Sequence, residues 1–147
     1  PNEREGAVIE GVVRRARVPC LVVPRGHCTF RRVLAAVDGG PDSEDVMTVA
    51  RHIACLFEAP VRAIHVEAAV PVSVGASSWE PEPLAGDDRV VCHGDPVAEI
   101  LRVVRDEDVG LLVFGHHRGG PVSTHATSGV APRLLQRARG AVLTVPI

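Results

Sequence analysis

Gly110-Leu111-Leu112-Val113-Phe114-Gly115-His116-His117-Arg118-Gly119-Gly120 is the stretch on which the fold turns. Gly110 to Phe114 is an apolar run of strand length that enters a glycine-rich loop at 115–120. After a polar run, Ser128-Gly129-Val130 opens a helix over 131–139. Ala141-Val142-Leu143-Thr144-Val145-Pro146 then closes as a second strand. A strand that feeds glycines into a helix N-terminus aims backbone N–H groups and the positive end of a helix dipole at one point, which makes a phosphate cradle. Glycine loops also serve as plain strand-to-helix connections, so the reading needs support from elsewhere in the chain.

The helix and strand that end this stretch occur twice. Aligned without a gap, residues 6–24 repeat residues 128–146. Val8, Arg15, Ala16, Arg17, Leu21, Val23 and Pro24 meet identical residues at Val130, Arg137, Ala138, Arg139, Leu143, Val145 and Pro146. A repeat so close to the start predicts that residues 1–26 are the last helix and strand of one domain and 27–147 a complete second one. Position 1 is Pro rather than Met, in keeping with a fragment or processed product of a tandem protein. The alternative is chance similarity between two Arg/Val-rich segments.

Working outward, 147 residues suit one ordinary domain, and 46 % apolar residues are ample for its core. A net charge of −2 sets up no field that would draw nucleic acid or an anionic membrane. All 16 basic residues are Arg, which excludes a P-loop lysine, a Schiff-base lysine and a lysine general base. Tyr is absent and Phe occurs 3 times, so base-stacking platforms are not expected. Cys20, Cys28, Cys55 and Cys92 lack C-x-x-C spacing. Cys20, Cys55 and Cys92 lie in apolar runs and read as reduced, buried small hydrophobes of a cytoplasmic protein. No apolar run reaches the ~18 residues of a membrane span, and no signal peptide is visible.

The central part alternates regularly. Val33 to Val37 is a continuous apolar strand, as expected in a sheet covered on both faces. Asp38-Gly39-Gly40-Pro41-Asp42 is a turn, and Asp42 or Ser43 is expected to cap the following helix. That helix keeps an apolar stripe through Val46, Val49, Ile53 and Leu56 to Glu58, and Pro60 stops it. Val61 to Val66 is a strand, 67–88 a Pro/Gly-containing loop, and Arg89 to His93 a short strand. Gly94-Asp95-Pro96 supplies a turn, an Asp N-cap and Pro at the first helical position of a helix to about Glu107. The order β–α–β–loop–β–α–β–α–β implies an α/β fold with a doubly wound parallel sheet.

Residues 30–147 resemble the universal stress protein family, and the leading segment resembles that family's last helix and strand. The matching pieces are Val-Leu-Ala-Ala-Val-Asp-Gly (33–39), Ile-His-Val (64–66), Gly-Asp-Pro (94–96), Leu-Leu-Val-Phe-Gly (111–115) and Val-Ala-x-x-Leu-Leu-x-x-Ala…Val-Leu-x-Val-Pro (130–146). The resemblance implies a five-stranded parallel sheet of order 3-2-1-4-5, of the adenine nucleotide α-hydrolase type, with the helix between the second and third strands missing or reduced to the 67–88 loop. Trp79 then either covers the sheet surface so exposed or stands in an open loop. Ligands of such sheets bind where the strand order reverses, and Asp38 and Gly115 end the two strands that flank this point.

The resemblance also implies ATP at that crevice, with Mg2+ if ATP is bound, in a regulatory domain of the stress response. Asp38 and Gly39 would face the adenosine end, the backbone of Val66 would touch adenine, and Gly115 would lie under ribose and phosphates. The family's loop reads glycine, two residues, glycine, nine residues, glycine, then Ser or Thr. Counted ungapped from Gly115, the second glycine falls on Arg118 and the final pair on Ser128-Gly129, which is reversed. With one insertion, Gly115, Gly119 and Gly129 fit, but the hydroxyl position becomes Val130. Gly120 lies in the same loop. Arg118 adds bulk where backbone should approach phosphate, yet its charge suits a phosphate. The altered loop therefore leaves a second reading open, a nucleotide-free dimerisation or interaction module.

Asp38-Gly39-Gly40-Pro41-Asp42-Ser43 also resembles the loop of ATP pyrophosphatases, the mark of an adenylating enzyme, but Asp38 puts a negative charge where a phosphate would sit. His116, His117 and nearby His125 do not form a metal site, because adjacent loop residues rarely aim both imidazoles at one ion. They read as exposed or ligand-edge histidines, and His65 reads as a hydrogen-bonded core residue. Ser123, Thr124, Thr127 and Ser128 lack a partner base, so no catalytic residue is assigned, and at most slow ATP hydrolysis is expected. Strand 142–145 is an apolar edge needing a partner. Family resemblance implies antiparallel pairing of last strands. Segment 20–23 is thus expected to pair with 142–145, within the chain as a pseudo-dimer or by exchange in a homodimer.

Overall fold

The computed structural model describes residues 3–26, 29–67, 88–117 and 129–147. Its elements are α1 (Glu3–Arg15), β1 (Cys20–Val22), β2 (Val33–Ala36), α2 (Ser43–Leu56), β3 (Val61–Glu67), β4 (Asp88–His93), α3 (Pro96–Asp106), β5 (Leu111–His116), α4 (Val130–Arg137) and β6 (Ala141–Pro146). The six strands form one sheet in the order β1-β6-β5-β2-β3-β4. β2 lies parallel to β3 and β5, β3 to β4, and β5 to β6.

The sheet is mixed rather than purely parallel with five strands. The sixth strand, β1, runs antiparallel to β6, with Cys20, Leu21 and Val22 opposite Thr144, Leu143 and Val142. The pairing lies within the chain and caps the backbone edge that β6 would otherwise leave open. The expected 67–88 loop, the missing helix and Trp79 fall outside the described residues except at the loop's two ends. There, Glu67 and Asp88 are strand residues.

Alternation along the strands divides the core between two layers, as period-2 side-chain direction requires. Val33, Ala35, Leu111 and Val113 face α2 through Val46, Met47, Ala50 and Ala54. Leu34, Ile64, Leu112 and Phe114 face the opposite layer, where Val97, Ile100 and Val103 of α3 and Leu134 of α4 meet them. Burial on both faces explains why β2 and β5 are continuously apolar. Cys92 is buried as expected, but Cys20 is half-buried and Cys55 exposed; all three are free thiols. Cys55 follows the inward Ala54 by one residue, which turns it outward on α2.

α3 begins as its sequence predicts. Asp95 accepts a hydrogen bond from Ala98 N at 2.9 Å, and Pro occupies the first turn. Asp95 also accepts from Arg133 Nη1 and Nη2, at 3.2 and 3.3 Å, which ties α4 to the start of α3. The Ala98 N–H, then the Arg133 guanidinium, holds the Asp95 carboxyl below its ordinary value. A carboxylate with a lowered folded-state pKa stabilises fully above its unfolded value and loses that contribution as pH falls through the lowered one. Asp95→Asn, which removes the charge, is therefore expected to lower the melting midpoint at pH 7. The difference from wild type should shrink progressively as pH falls below the ordinary carboxylate pKa of about 3.9. A pH-independent difference in thermal scans would assign the effect to something other than charge.

Candidate functional site

β2 and β5 are neighbours, yet the chain leaves them toward opposite edges of the sheet, so the strand order reverses between them. At their C-terminal ends lies a cavity of about 490 Å³, within the usual range of small-ligand sites. Asp38, two residues beyond β2, and Gly115, the penultimate residue of β5, both line it. Val66 of β3 lines it too, as do Gly129 and Val130 at the start of α4. Its floor and walls are largely apolar, with Ile64, Ile100, Phe114 and Leu134 among them.

The turn after β2 holds the Asp38 carboxylate in place. Oδ1 accepts from Gly40 N at 2.8 Å and from Ser43 Oγ at 3.1 Å. Ser43 Oγ in turn accepts from Gly39 N at 3.0 Å. Gly39 has φ +83°, a conformation that glycine adopts without strain. Neither Asp42 nor Ser43 caps α2 in the expected way: Asp42 is the N-cap residue but makes no side-chain cap bond. The Ser43 hydroxyl is turned back into the loop, where it orients Asp38 instead. Gly39 itself does not line the main cavity and lies with Asp38, Gly40 and Pro41 along a separate shallow depression.

Gly115 has a packing reason to be glycine. A Cβ there would stand 2.8 Å from Ile147 Cδ1 and 3.2 Å from Val46 Cγ2. Ile147 is held there by its N–H, which donates to the His116 carbonyl at 3.0 Å. His116 is not a loop residue: it pairs with Pro146 and is the last residue of β5. Its side chain is buried, that of His117 is exposed, and both line the cavity. No group of three metal-ligating side chains exists among the described residues. His65 is half-buried, with Nδ1 3.1 Å from the Val37 carbonyl, the structural role its sequence context predicts.

The structure thus brings together Asp38, Val66, Gly115, Gly129 and Val130 of the candidate residues. Arg118, Gly119, Gly120 and Ser128, with His125, lie outside the described residues. Sequence reading missed the contribution of α1. Glu10, Val13 and Arg14 all line the cavity, and their i, i+3, i+4 spacing sets them on one helical face. Val13 is 4 % exposed, and α1 packs against α4. The available signal was that spacing itself, an apolar residue flanked by opposite charges on one stripe.

Comparison with known proteins agrees with this architecture. A profile described as the universal stress protein family matches residues 80–146. A universal stress protein of Synechocystis is 23 % identical over 155 residues, covering 95 % of this chain and 50 % of that protein. A crystal structure described as a universal stress protein from Pseudomonas aeruginosa superposes with a TM-score of 0.74 at 20 % identity, covering 99 % of this chain and 59 % of that one. A universal stress protein solved in complex with cAMP covers 80 % of this chain and 97 % of its own, with a TM-score of 0.62 at 17 % identity. The chain therefore spans about half the length of the curated relative that it matches. Among the described residues, no helix is long and apolar enough to cross a membrane.

Proposed function

We propose that this chain, which belongs to the universal stress protein family, binds an adenine nucleotide in the crevice between β2 and β5 and acts as a regulatory module of the stress response. The observation that carries the reading is the single cavity lined by both Asp38 and Gly115 at the reversal of strand order. Ligands of open α/β sheets bind at such points. The known relative solved with cAMP supports the nucleotide class. In this reading Asp38, fixed by Gly40 and Ser43, accepts a ribose hydroxyl. Ile64, Val66 and Phe114 pack against the base, and Gly129 and Val130 offer the α4 N-terminus to phosphate. ATP is one candidate ligand, and Mg2+ would then offset part of its charge. No nucleophile–base pair is assembled among the described residues, and the proposed role is binding, not turnover.

Titration calorimetry of the purified chain with adenosine, AMP and ATP/Mg2+ tests the reading. Saturable binding of at least one of these is expected, weakened about tenfold or more in Asp38→Ala, the effect of removing a hydrogen bond to an ionised group. Binding that Asp38→Ala leaves unchanged would move the site elsewhere.

A second reading, a nucleotide-free interaction module, is favoured by one specific feature. Ile147 and Val46 occupy the space over the Cα of Gly115, which leaves a packing reason for that glycine without any ligand. Under this reading none of the three compounds binds.

We further propose that residues 1–26 are the end of a preceding universal stress domain and that 27–147 form the following one. The internal repeat supports it. So do the antiparallel β1–β6 pairing and the exposed Val8, Val12, Leu21 and Val23, an apolar surface of the kind a preceding domain would cover. By this reading two domains pair through last strands, and a homodimer is the alternative arrangement of the same contact.

A further inference from the structure

We infer that Arg14 of α1 receives a phosphate of the bound nucleotide. This rests on the adenine-nucleotide reading of the crevice and adds to it a residue that reads the ligand's phosphate.

Among the described residues lining the cavity, three are carboxylates: Glu10, Asp38 and Asp42. Arg14 carries the sole permanent positive charge in that set. His116 and His117 complete its titratable members. The described wall thus bears more negative than positive charge. A monophosphate needs one charge-assisted contact, which a guanidinium supplies in a fork that fits phosphate oxygens.

α1 is placed to supply that contact. Val13 is buried and seats the helix against the domain. Arg14 follows it on the cavity face, and Glu10 stands one turn earlier, at the i, i+4 spacing from which a Glu and an Arg attract each other. When phosphate is absent, Glu10 is the nearest charge on α1's own cavity face for Arg14 to approach. Phosphate competes for the same guanidinium. Removing Glu10 therefore strengthens ligand binding, and removing Arg14 weakens it. α1 belongs to the repeated N-terminal segment, so the ligand charge is read by a helix outside the 27–147 unit. Occupancy of the crevice then stabilises the seating of α1 by the same free energy with which α1 stabilises the ligand.

Calorimetric titration of the 147-residue chain with AMP, ATP/Mg2+ and adenosine, repeated on Arg14→Ala, Arg14→Lys and Glu10→Gln, tests this. Arg14→Ala should cost about tenfold in AMP affinity, with adenosine affinity unchanged. Arg14→Lys should recover part of the loss, and Glu10→Gln should tighten AMP. If wild type binds AMP and Arg14→Ala binds it equally well, the role of Arg14 is overturned while the nucleotide reading stands. If adenosine, AMP and ATP all fail to bind wild type, the nucleotide reading itself falls, and this inference with it.

Discussion

Gly110→Ala is expected to lose about 3 kcal/mol or more of folding stability, the cost of overpacking against a backbone that must move. A Cβ on Gly110 would stand 1.8 Å from the Thr29 carbonyl oxygen and 3.1 Å from Phe30 Cα. Both contacts are main chain, so no rotamer change relieves them. Thr29 and Phe30 lead into β2, and Gly110 N and Leu111 N both donate to the Arg32 carbonyl, at 3.0 and 3.2 Å. Displacing this crossing would pull on the central pairing of Val33 with Leu111. Two other glycines calibrate the expectation. At Gly115 the nearest atom is the end of the Ile147 side chain, which can shift, so Gly115→Ala should cost about 1 kcal/mol. At Gly140 the nearest atoms are 3.6 and 3.7 Å away, ordinary contact, and Gly140→Ala should stay within about 0.5 kcal/mol of wild type. Urea unfolding of the three variants checks the ranking. A Gly110→Ala protein as stable as Gly140→Ala would refute the close approach.

Removing residues 1–26 is expected to have the other large effect. β6 would lose its antiparallel neighbour, and a run that is buried from Ala141 to Val145 would become an open strand edge. Thr144, now 0 % exposed, would also lose the Cys20 carbonyl that its hydroxyl donates to at 3.4 Å. Unpaired apolar edges recruit other chains. The truncated protein is therefore expected to elute at twice its monomer mass or larger, and to melt lower by roughly 5 °C or more. A truncated chain that stays monomeric with an unchanged melting midpoint would show that β1 adds nothing to the sheet.

Much of this organisation was legible in the order of residues. Apolar runs give out at Asp38 and Gly115, within two residues of the ends of β2 and β5, and strand–helix alternation then forces a parallel sheet with a reversal point. The repeat of 6–24 in 128–146 marked 20–23 as a second copy of the last strand, and the family resemblance, which implies that last strands pair, made the β1–β6 pairing foreseeable. Asp95-Pro96 carried its capping geometry in plain view, because a cap is a local hydrogen bond between residues 3 apart. Features set by tertiary contact were not legible. Gly115 looked like a loop glycine, but β5 runs on through His116 because Val145 and Pro146 offer it a partner. Ser43 looked like a helix cap, and the Gly39-Gly40 turn draws its hydroxyl to Asp38 instead. Cys55 sits in an apolar run but on the outward face of α2, a matter of one residue in helical phase. The α1 face bearing Glu10, Val13 and Arg14 was hardest to foresee. A short amphipathic helix shows that it has a buried side, but not which cavity that side will meet.

The charge cluster at the opposite end of the sheet has a simpler meaning. Arg62 donates to Asp88 across the β3–β4 pair at 2.7 Å and to Glu107 beyond α3 at 2.6 Å. Arg32 reaches the same Glu107 at 3.3 Å. Its place at the N-terminal ends of the strands, away from the reversal-point crevice, makes it a clasp between the strands and the end of α3.

The central proposition is that an adenine nucleotide occupies the cavity between the C-terminal ends of β2 and β5. A crystal structure of the 147-residue chain grown with AMP tests it most directly. The expected result is the nucleotide with its ribose at the Asp38 carboxylate, its base against Val66 and Phe114, and its phosphate within hydrogen-bond distance of Arg14. Nucleotide bound elsewhere on the surface, or none at saturating concentration with the crevice accessible, would contradict it.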